Sequence, residues 1–472
     1  MPWKKAENSP NTFTRPLGPN EVFMQLVAEP GHALGHEHWA INYTATIVPR
    51  GAFEVLLSSP ELLPTLIRYS WMHLRFQHPS IAACPDASRT ATYVVPDSSD
   101  ALNKWASKTF TVATDAKSAD DVIPTIEPAA DALLYFVPQS NQLLLHTGHW
   151  RTDGVGGTIL LGQLVNLISS NAEALLSGKL PDPFDSFDWG SEVGRLMLPV
   201  EEAAKMPLVA TDELKAIAQE TTATFALAEG ALGVPYIGDS TTVPAGTRAV
   251  ELAFSPTDTS AAVSAAKARG FGITAAIHAS MAAANFRNAI SKHQDESRHY
   301  TSTIRQSFRE CLPEPYSTPA GASGLYTSGW MASVDPSTTW EDNAHKYRTE
   351  YKKDVSGGYL QAHREYAYTL NEIVKNPPTP AEPPSDIDVS CIGVAEKYIE
   401  REYGTPERGF GITNVGLGVE LLSRQATVFV WTFRDQLTLR LVYNESFHTA
   451  EQMSEFLKDV QTELLKQLNV WE

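Results

Sequence analysis

Apolar residues along this 472-residue chain alternate in some stretches and recur at helical spacing in others. Alternation and short runs of β-branched and aromatic residues predict strands at 37–48, Tyr93–Val95, Phe110–Val112, Ala132–Phe136 and Gln142–His149. The last two read as a hairpin joined through Pro138-Gln-Ser-Asn141. Spacing near 3.6 predicts a helix over 61–76, with Pro64 in its first turn and its end before Pro79, and a long apolar helix over Val155–Leu176. Residues 199–245 are less regular and run into Gly238–Gly246. They are predicted to be a crossover linker between halves at 1–198 and 246–472. The second half repeats the mixture. It has a strand at Ala249–Phe254, a helix at Thr257–Ala268, an N-cap at Thr274 for an alanine-rich helix to Ser291, and a strand around Tyr300–Arg305. Late strands follow at Gly411–Val415, Ala426–Thr432 and Gln436–Tyr443, then a final helix from about Ala450 to Leu468. Pro377–Pro384 predicts an extended surface loop. The order fits an α/β fold of two sandwich-like halves.

Composition narrows the class. A chain this long suggests two domains, and 19% charged with 43% hydrophobic residues is globular. The core is large enough to need no disulfide or metal staple. Cys84, Cys311 and Cys391 are odd in number, far apart and without CxxC spacing, which predicts a reduced, cytoplasmic protein. The first residues lack the apolar segment of a secretory signal. The longest apolar run, near Val155–Ser169, is too interrupted to span a bilayer. A net charge of −18 argues against nucleic acid as a partner. A polyanionic ligand would have to gather local cations. The cluster His345–Lys353 could supply them, although its helical spacing reads as a solvated face.

The segment Gln142–Gly157 carries the chemistry. A buried strand leads to His149, then a tight turn, then the long helix. His149, Asp153 and Gly154 make the pattern H-x-x-x-D-G. An imidazole titrates near neutrality and suits base catalysis on a hydroxyl or amine. Gly154 is expected to give the turn its backbone freedom. His146, three residues earlier, alternates to the opposite face and reads as packing, as does Trp150.

This pattern resembles the active-site motif of the CoA-dependent acyltransferase superfamily. That superfamily includes BAHD acyltransferases, fungal alcohol O-acetyltransferases and the condensation domains of peptide synthetases. Leu74–Ser80 is similar to the family's "LR-x-x-HP" helix end, and Thr303–Pro313 to a segment in which a strand-borne arginine precedes a proline turn. Gly411–Gly416 looks like the "SNxG" segment, Leu437–Asn444 like the penultimate strand, and Phe187–Leu196 most resembles trichothecene 15-O-acetyltransferases. A late "DFGWG" is missing, and the first of the doubled histidines of condensation domains is here Gly148.

The resemblance implies two chloramphenicol-acetyltransferase-like halves facing each other across a solvent channel. His149 would be the general base in a direct transfer from acetyl-CoA or another acyl-CoA to a hydroxylated small molecule. Asp153 would pair with Arg305 to hold the turn, and Thr413 and Asn414 would line the channel or stabilise the oxyanion. The acyl-CoA is a co-substrate and not a bound cofactor, and a monomer is expected. A carrier-protein thioester in a condensation-like reaction, or a binding member that has lost transfer, are the alternatives.

Other patterns carry less. His32, His36 and His38 lack the further ligands of a zinc site, so no metal is expected. Gly321-Ala-Ser-Gly324 is not a nucleophile elbow, and the glycine clusters are neither dinucleotide nor phosphate loops.

Overall fold

In the computed structural model, which describes residues 2–7, 9–295, 298–377 and 382–470, the expected elements form with ends shifted by a few residues. The middle of the proline-rich stretch, 378–381, lies outside the described residues. The chain divides into two compact units that are not continuous in sequence. One comprises Met1–Met206, Arg309–Tyr326 and Glu396–Leu417. The other comprises Pro207–Phe308, Thr327–Ala395 and Gly418–Glu472. The stretch 207–245, expected as a linker, belongs to the second unit and contains the helix Asp212–Ala223. Two later excursions return to the first unit, which a single boundary in sequence does not anticipate.

The first unit is built on a six-stranded sheet ordered Glu402–Thr405, Arg408–Val419, Ile41–Gly51, Gln142–Thr147, Leu133–Val137 and Phe110–Val112. The hairpin Leu133–Val137/Gln142–Thr147 forms as expected, and Ile41 pairs with Thr147. The helix Gly154–Leu176 packs on this sheet and on the helix Leu62–Gln77. By length and apolarity it passes as a membrane span, yet 56% of its apolar window is buried in protein, as suits a core helix. Its start is set by Asp153, whose extended backbone and side chain cap the amide of Gly156.

The second unit has a four-stranded sheet ordered Ile387–Val394, Ala426–Phe433, Gln436–Asn444 and Thr247–Ala253, together with the hairpin Tyr300–Ser307/Thr327–Val334. The small faces of Ile273–Arg287 let this helix lie within the core, where Ala276, Ala279 and Ala282 are fully buried. Its N-cap is Gly272. Thr274, expected in that role, is already inside the first turn with its hydroxyl 3.5 Å from the Cys391 sulfur.

Candidate active site

His149 stands two residues beyond the strand Gln142–Thr147, in the turn that leads to the Gly154 helix. It is half-buried, and its Nδ1 lies 3.1 Å from the carbonyl oxygen of Thr152. A carbonyl only accepts, so Nδ1 carries the ring proton and the lone pair falls on Nε2. The turn is held on both flanks. Trp150 is buried beside Leu17 and Ala91. The Arg151 guanidinium lies over the Trp150 ring, 4.6 Å from its centroid, and donates to the carbonyls of Ser80, Ala83 and Ala130 and to the Thr147 hydroxyl. His146 packs as expected. Its Nδ1 meets Asn42 at 2.8 Å, and burial lowers its pKa to about 4.

Asp153 is the centre of a buried clamp. Its Oδ1 accepts from the Gly156 amide at 2.9 Å and from Arg309 Nε at 3.3 Å. Its Oδ2 accepts from Arg309 Nη2 and from the Tyr326 amide, each at 2.9 Å. Arg309 also donates to the carbonyls of Gly321 and Gly324, and Thr152 donates to that of Ala322. The Asp153 carbonyl accepts from the Tyr43 hydroxyl at 2.8 Å; burial keeps that phenol protonated by raising its pKa well above the ordinary value. A carboxylate so fully engaged fixes the turn and has no lone pair left for proton transfer.

The arginine partner differs from the expected one. Arg305 donates to Asp388 at 2.9 Å and to the Val389 carbonyl at 2.8 Å. The partner of Asp153 is Arg309. The strand ends at Ser307, and only after it does the chain turn into the loop that reaches Asp153. Both arginines lie in the segment Thr303–Pro313, so the signal was present in sequence.

Gly154 needs correction as well. It is the first residue of the helix, and positive φ angles occur elsewhere. The glycines that geometry requires are the next two. A Cβ on Gly156 would lie 2.3 Å from the Ala322 oxygen, and one on Gly157 would lie 1.9 Å from the Tyr43 ring.

Thr413 and Asn414 are exposed in the strand Arg408–Val419. Gly416 abuts Thr44, three residues along its strand from Ile41, and Glu407 receives the Ala52 amide. The two strands therefore run in opposite directions, and Thr413 and Asn414 lie beyond Gly416, away from the His149 end. Roughly 15 Å of strand separates them from the level of Thr147. The sheet register therefore does not bring either residue to the level of the His149 turn.

Among the described residues no group of three His, Cys, Asp or Glu side chains is arranged to hold a metal. In the helix Trp340–Tyr351, Trp340 and Tyr347 are buried while His345 and Lys346 are exposed, so that basic cluster is a solvated face.

No protein-family model matches the chain. It is 39% identical over 471 residues to "Acetyltransferase pigO" of Monascus ruber, covering 100% of this chain and 99% of that protein. The chain belongs to this acetyltransferase family. It is an acyltransferase. It is also 27% identical over 472 residues to the O-acetyltransferase pigM of Monascus ruber, covering 100% of this chain and 88% of that protein. Its fold is that of the TRI3 trichothecene 15-O-acetyltransferase of Fusarium sporotrichioides, with a TM-score of 0.78 and 19% identity over 98% of this chain and 97% of that one.

Several residues of this acyltransferase gain a structural explanation. At Gly148, where condensation domains carry a histidine, a Cβ would lie 2.5 Å from the Glu37 carboxylate and 3.0 Å from the Trp150 ring, so a side chain there would require Glu37 to shift. In Leu74–Ser80, the Arg75 guanidinium lies 4.7 Å from the Trp105 ring, and His78 Nε2 meets Gln163 of the long helix. Burial lowers the His78 pKa to about 4. Glu192, in the stretch Phe187–Leu196, is fully buried and accepts from the Tyr93 hydroxyl at 2.8 Å. Ser80, at the end of the first of these stretches, accepts from Arg151 in the His149 turn.

Proposed function

We propose that this acyltransferase moves an acetyl group from acetyl-CoA to a hydroxyl of a small secondary metabolite, with His149 as general base. The observation that carries the reading is the Nδ1 contact with the Thr152 carbonyl, which assigns the lone pair to Nε2. In the proposed step Nε2 takes the hydroxyl proton as the oxygen attacks the thioester carbonyl. The tetrahedral intermediate collapses, the C–S bond breaks, and the imidazolium returns its proton to the departing thiolate. Asp153, with Arg309, aims the turn. The O-acetyltransferase name of pigM supports a hydroxyl acceptor over an amine. Thr413 and Asn414, being exposed, are proposed as substrate contacts and not as oxyanion donors. The enzyme is proposed to act in the cytoplasm as a monomer, with the acyl-CoA as co-substrate.

Direct transfer requires both substrates together, and the reading has no activated nucleophile among the described residues. The Cys84 thiol, for example, is pushed up to about 11 by burial. The test is mass and kinetics together. Acetyl-CoA alone should leave the intact protein mass unchanged, and initial-rate plots against both substrates should intersect. An acetylated protein that passes its acetyl group to an added acceptor would overturn the reading.

A further inference from the structure

Gly148, the residue before the proposed base, is crowded by a carboxylate that the transfer step does not use. A Cβ at that position would lie 2.5 Å from Glu37 Oε1 and 3.2 Å from Trp150 Nε1. Glu37 is itself buried. The sheet brings it there. Ile41 pairs with Thr147 in antiparallel register, so the residues before Ile41 run beside those that follow Thr147. The Ala40 amide donates to the Glu37 carbonyl at 3.0 Å and closes a tight turn over 37–40. Trp39 makes that turn with a φ of 65°. Among the described residues the other non-glycine positions with positive φ hold Arg, Asn, Asp or Lys, and a bulky aromatic residue there is strained. Such strain persists where the surroundings hold it, and the Trp39 ring is held edge-on by Phe23 at 6.4 Å between centroids. The strained turn is what tucks Glu37 against Gly148.

The other charges around His149 are accounted for. On its own turn, Asp153 is matched by Arg309 from the loop 309–326. Arg151 is buried and donates to the carbonyls of Ser80, Ala83 and Ala130. Burial lowers the Arg151 pKa, and Cys84, Asp131 and Glu37 oppose that shift, with Asp131 already paired to Lys108 at 2.7 Å. On the segment before Ile41, His36 is half-exposed, and burial lowers the His38 pKa to about 4, so the His38 ring is neutral at physiological pH. His146, on the strand before the turn, is lowered to about 4 by burial and then by Arg151. Glu37 therefore brings negative charge to the residue beside the base from a different element than the Asp153 clamp. A nearby carboxylate favours the charged form of an imidazole.

We propose that Glu37 is a positioning residue for the transfer: its carboxylate, lodged where a side chain at 148 would begin, stabilises the imidazolium that His149 becomes when Nε2 takes the hydroxyl proton. This deepens the acyl-transfer reading and rests on it for its meaning in the reaction. The effect on the His149 ring is measured without turnover, so the two readings fail separately.

The experiment is an NMR pH titration of the full-length protein carrying ring-labelled histidine, with the His149 signal assigned by its loss in His149→Ala. Wild type, Glu37→Gln and Glu37→Asp are compared, each with a melting curve as a folding control. Glu37→Gln keeps the shape and removes the charge, and is expected to lower the His149 pKa by about one unit. Glu37→Asp, whose carboxylate is drawn back by one methylene, should fall between the two. In the release of thiol from acetyl-CoA without acceptor, the acid limb of kcat/KM should move down in pH with the ring. Its plateau should fall by about three- to ten-fold, since a less basic ring takes the proton less readily. Should Glu37→Gln fail to fold, a downward shift in Glu37→Asp carries the same contrast, and its absence overturns the proposal. A lowered melting temperature in Glu37→Gln with an unmoved His149 pKa would mean that the carboxylate only balances Arg151, and would overturn it too. A ring pKa that falls while the acid limb of thiol release stays in place would support the coupling of Glu37 to His149 and overturn His149 as the base.

Discussion

Two arginine–carboxylate pairs begin four residues apart on the chain and do different work. Arg309 and Asp153 are both buried, at 6% and 4% side-chain exposure, whereas Arg305 is 34% exposed and its partner Asp388 10%. Arg309 joins segments 156 residues apart and closes on the turn that bears His149. Arg305 ties its own strand to the neighbouring Ile387–Val394, where Asp388 also accepts from the Thr303 and Val389 amides. A buried pair is costly to form and costlier to break, because the surviving charge has no water to turn to. A half-exposed pair loses little. The contrast identifies Arg309 as the residue that holds the turn bearing His149 and leaves Arg305 a strand brace.

The largest effect expected on either side of this contrast is from the proposed base, His149. His149→Ala should lower acetyl transfer by roughly 10²–10⁴-fold, the usual span for a general base, with an unchanged melting temperature. Slow thiol release from acetyl-CoA without acceptor should vanish with it. Activity within a few-fold of wild type would remove His149 from the mechanism.

Arg309→Ala should cost roughly 3–5 kcal/mol of stability by chemical denaturation, because Asp153 would be left buried and unpaired. Transfer should fall too, since the loop from Gly321 to Tyr326 loses its hold on the turn.

Gly157→Ala tests the same clamp from its other side. Its Cβ would overlap the Tyr43 ring that donates to the Asp153 carbonyl. A loss of roughly 1–3 kcal/mol is expected from such overpacking. Gly154→Ala, in an ordinary helical position, should be milder in the same denaturation experiment.

Much of this organisation was legible in the sequence. Periodicity located the strands and the two helices of the first unit to within a few residues, and the H-x-x-x-D-G spacing placed His149 and Asp153 on one turn. What periodicity cannot carry is register and distant partnership. Choosing Arg309 over Arg305 required knowing where the strand stopped, and that is settled by the pairing of Ser307 with Thr327. Thr413 and Asn414 lie on the right strand, yet its alignment beside Ile41–Gly51 carries them away from His149. Gly154 drew attention as part of the motif, while the need for glycine at 157 comes from Tyr43, 114 positions away in the chain by the difference of the two residue numbers. The loop 309–326 joins the first unit through hydrogen bonds of Arg309, Ala322 and Tyr326, which leave no periodic trace.

The smallest effect expected sharpens the second pair. Asp386 is buried near Asp388, and desolvation first, then the neighbouring carboxylate, raises its pKa from 3.8 to about 7. A carboxyl whose folded pKa is raised favours the folded state less as pH climbs from its unfolded value towards 7. Asp386→Asn should therefore raise the melting temperature modestly at pH 8, with the gain shrinking towards pH 4. A gain that does not change with pH would show that ionisation of Asp386 is not the cause.

The most direct test of the account is a pair of double-mutant cycles, read in both stability and transfer rate. Asp153→Asn is combined with Arg309→Ala in one and with Arg305→Ala in the other. The expected result is a coupling of about 2 kcal/mol in the Arg309 cycle, because one broken pair cannot be broken twice, and additivity in the Arg305 cycle. Additivity with Arg309, or strong coupling with Arg305, would contradict it.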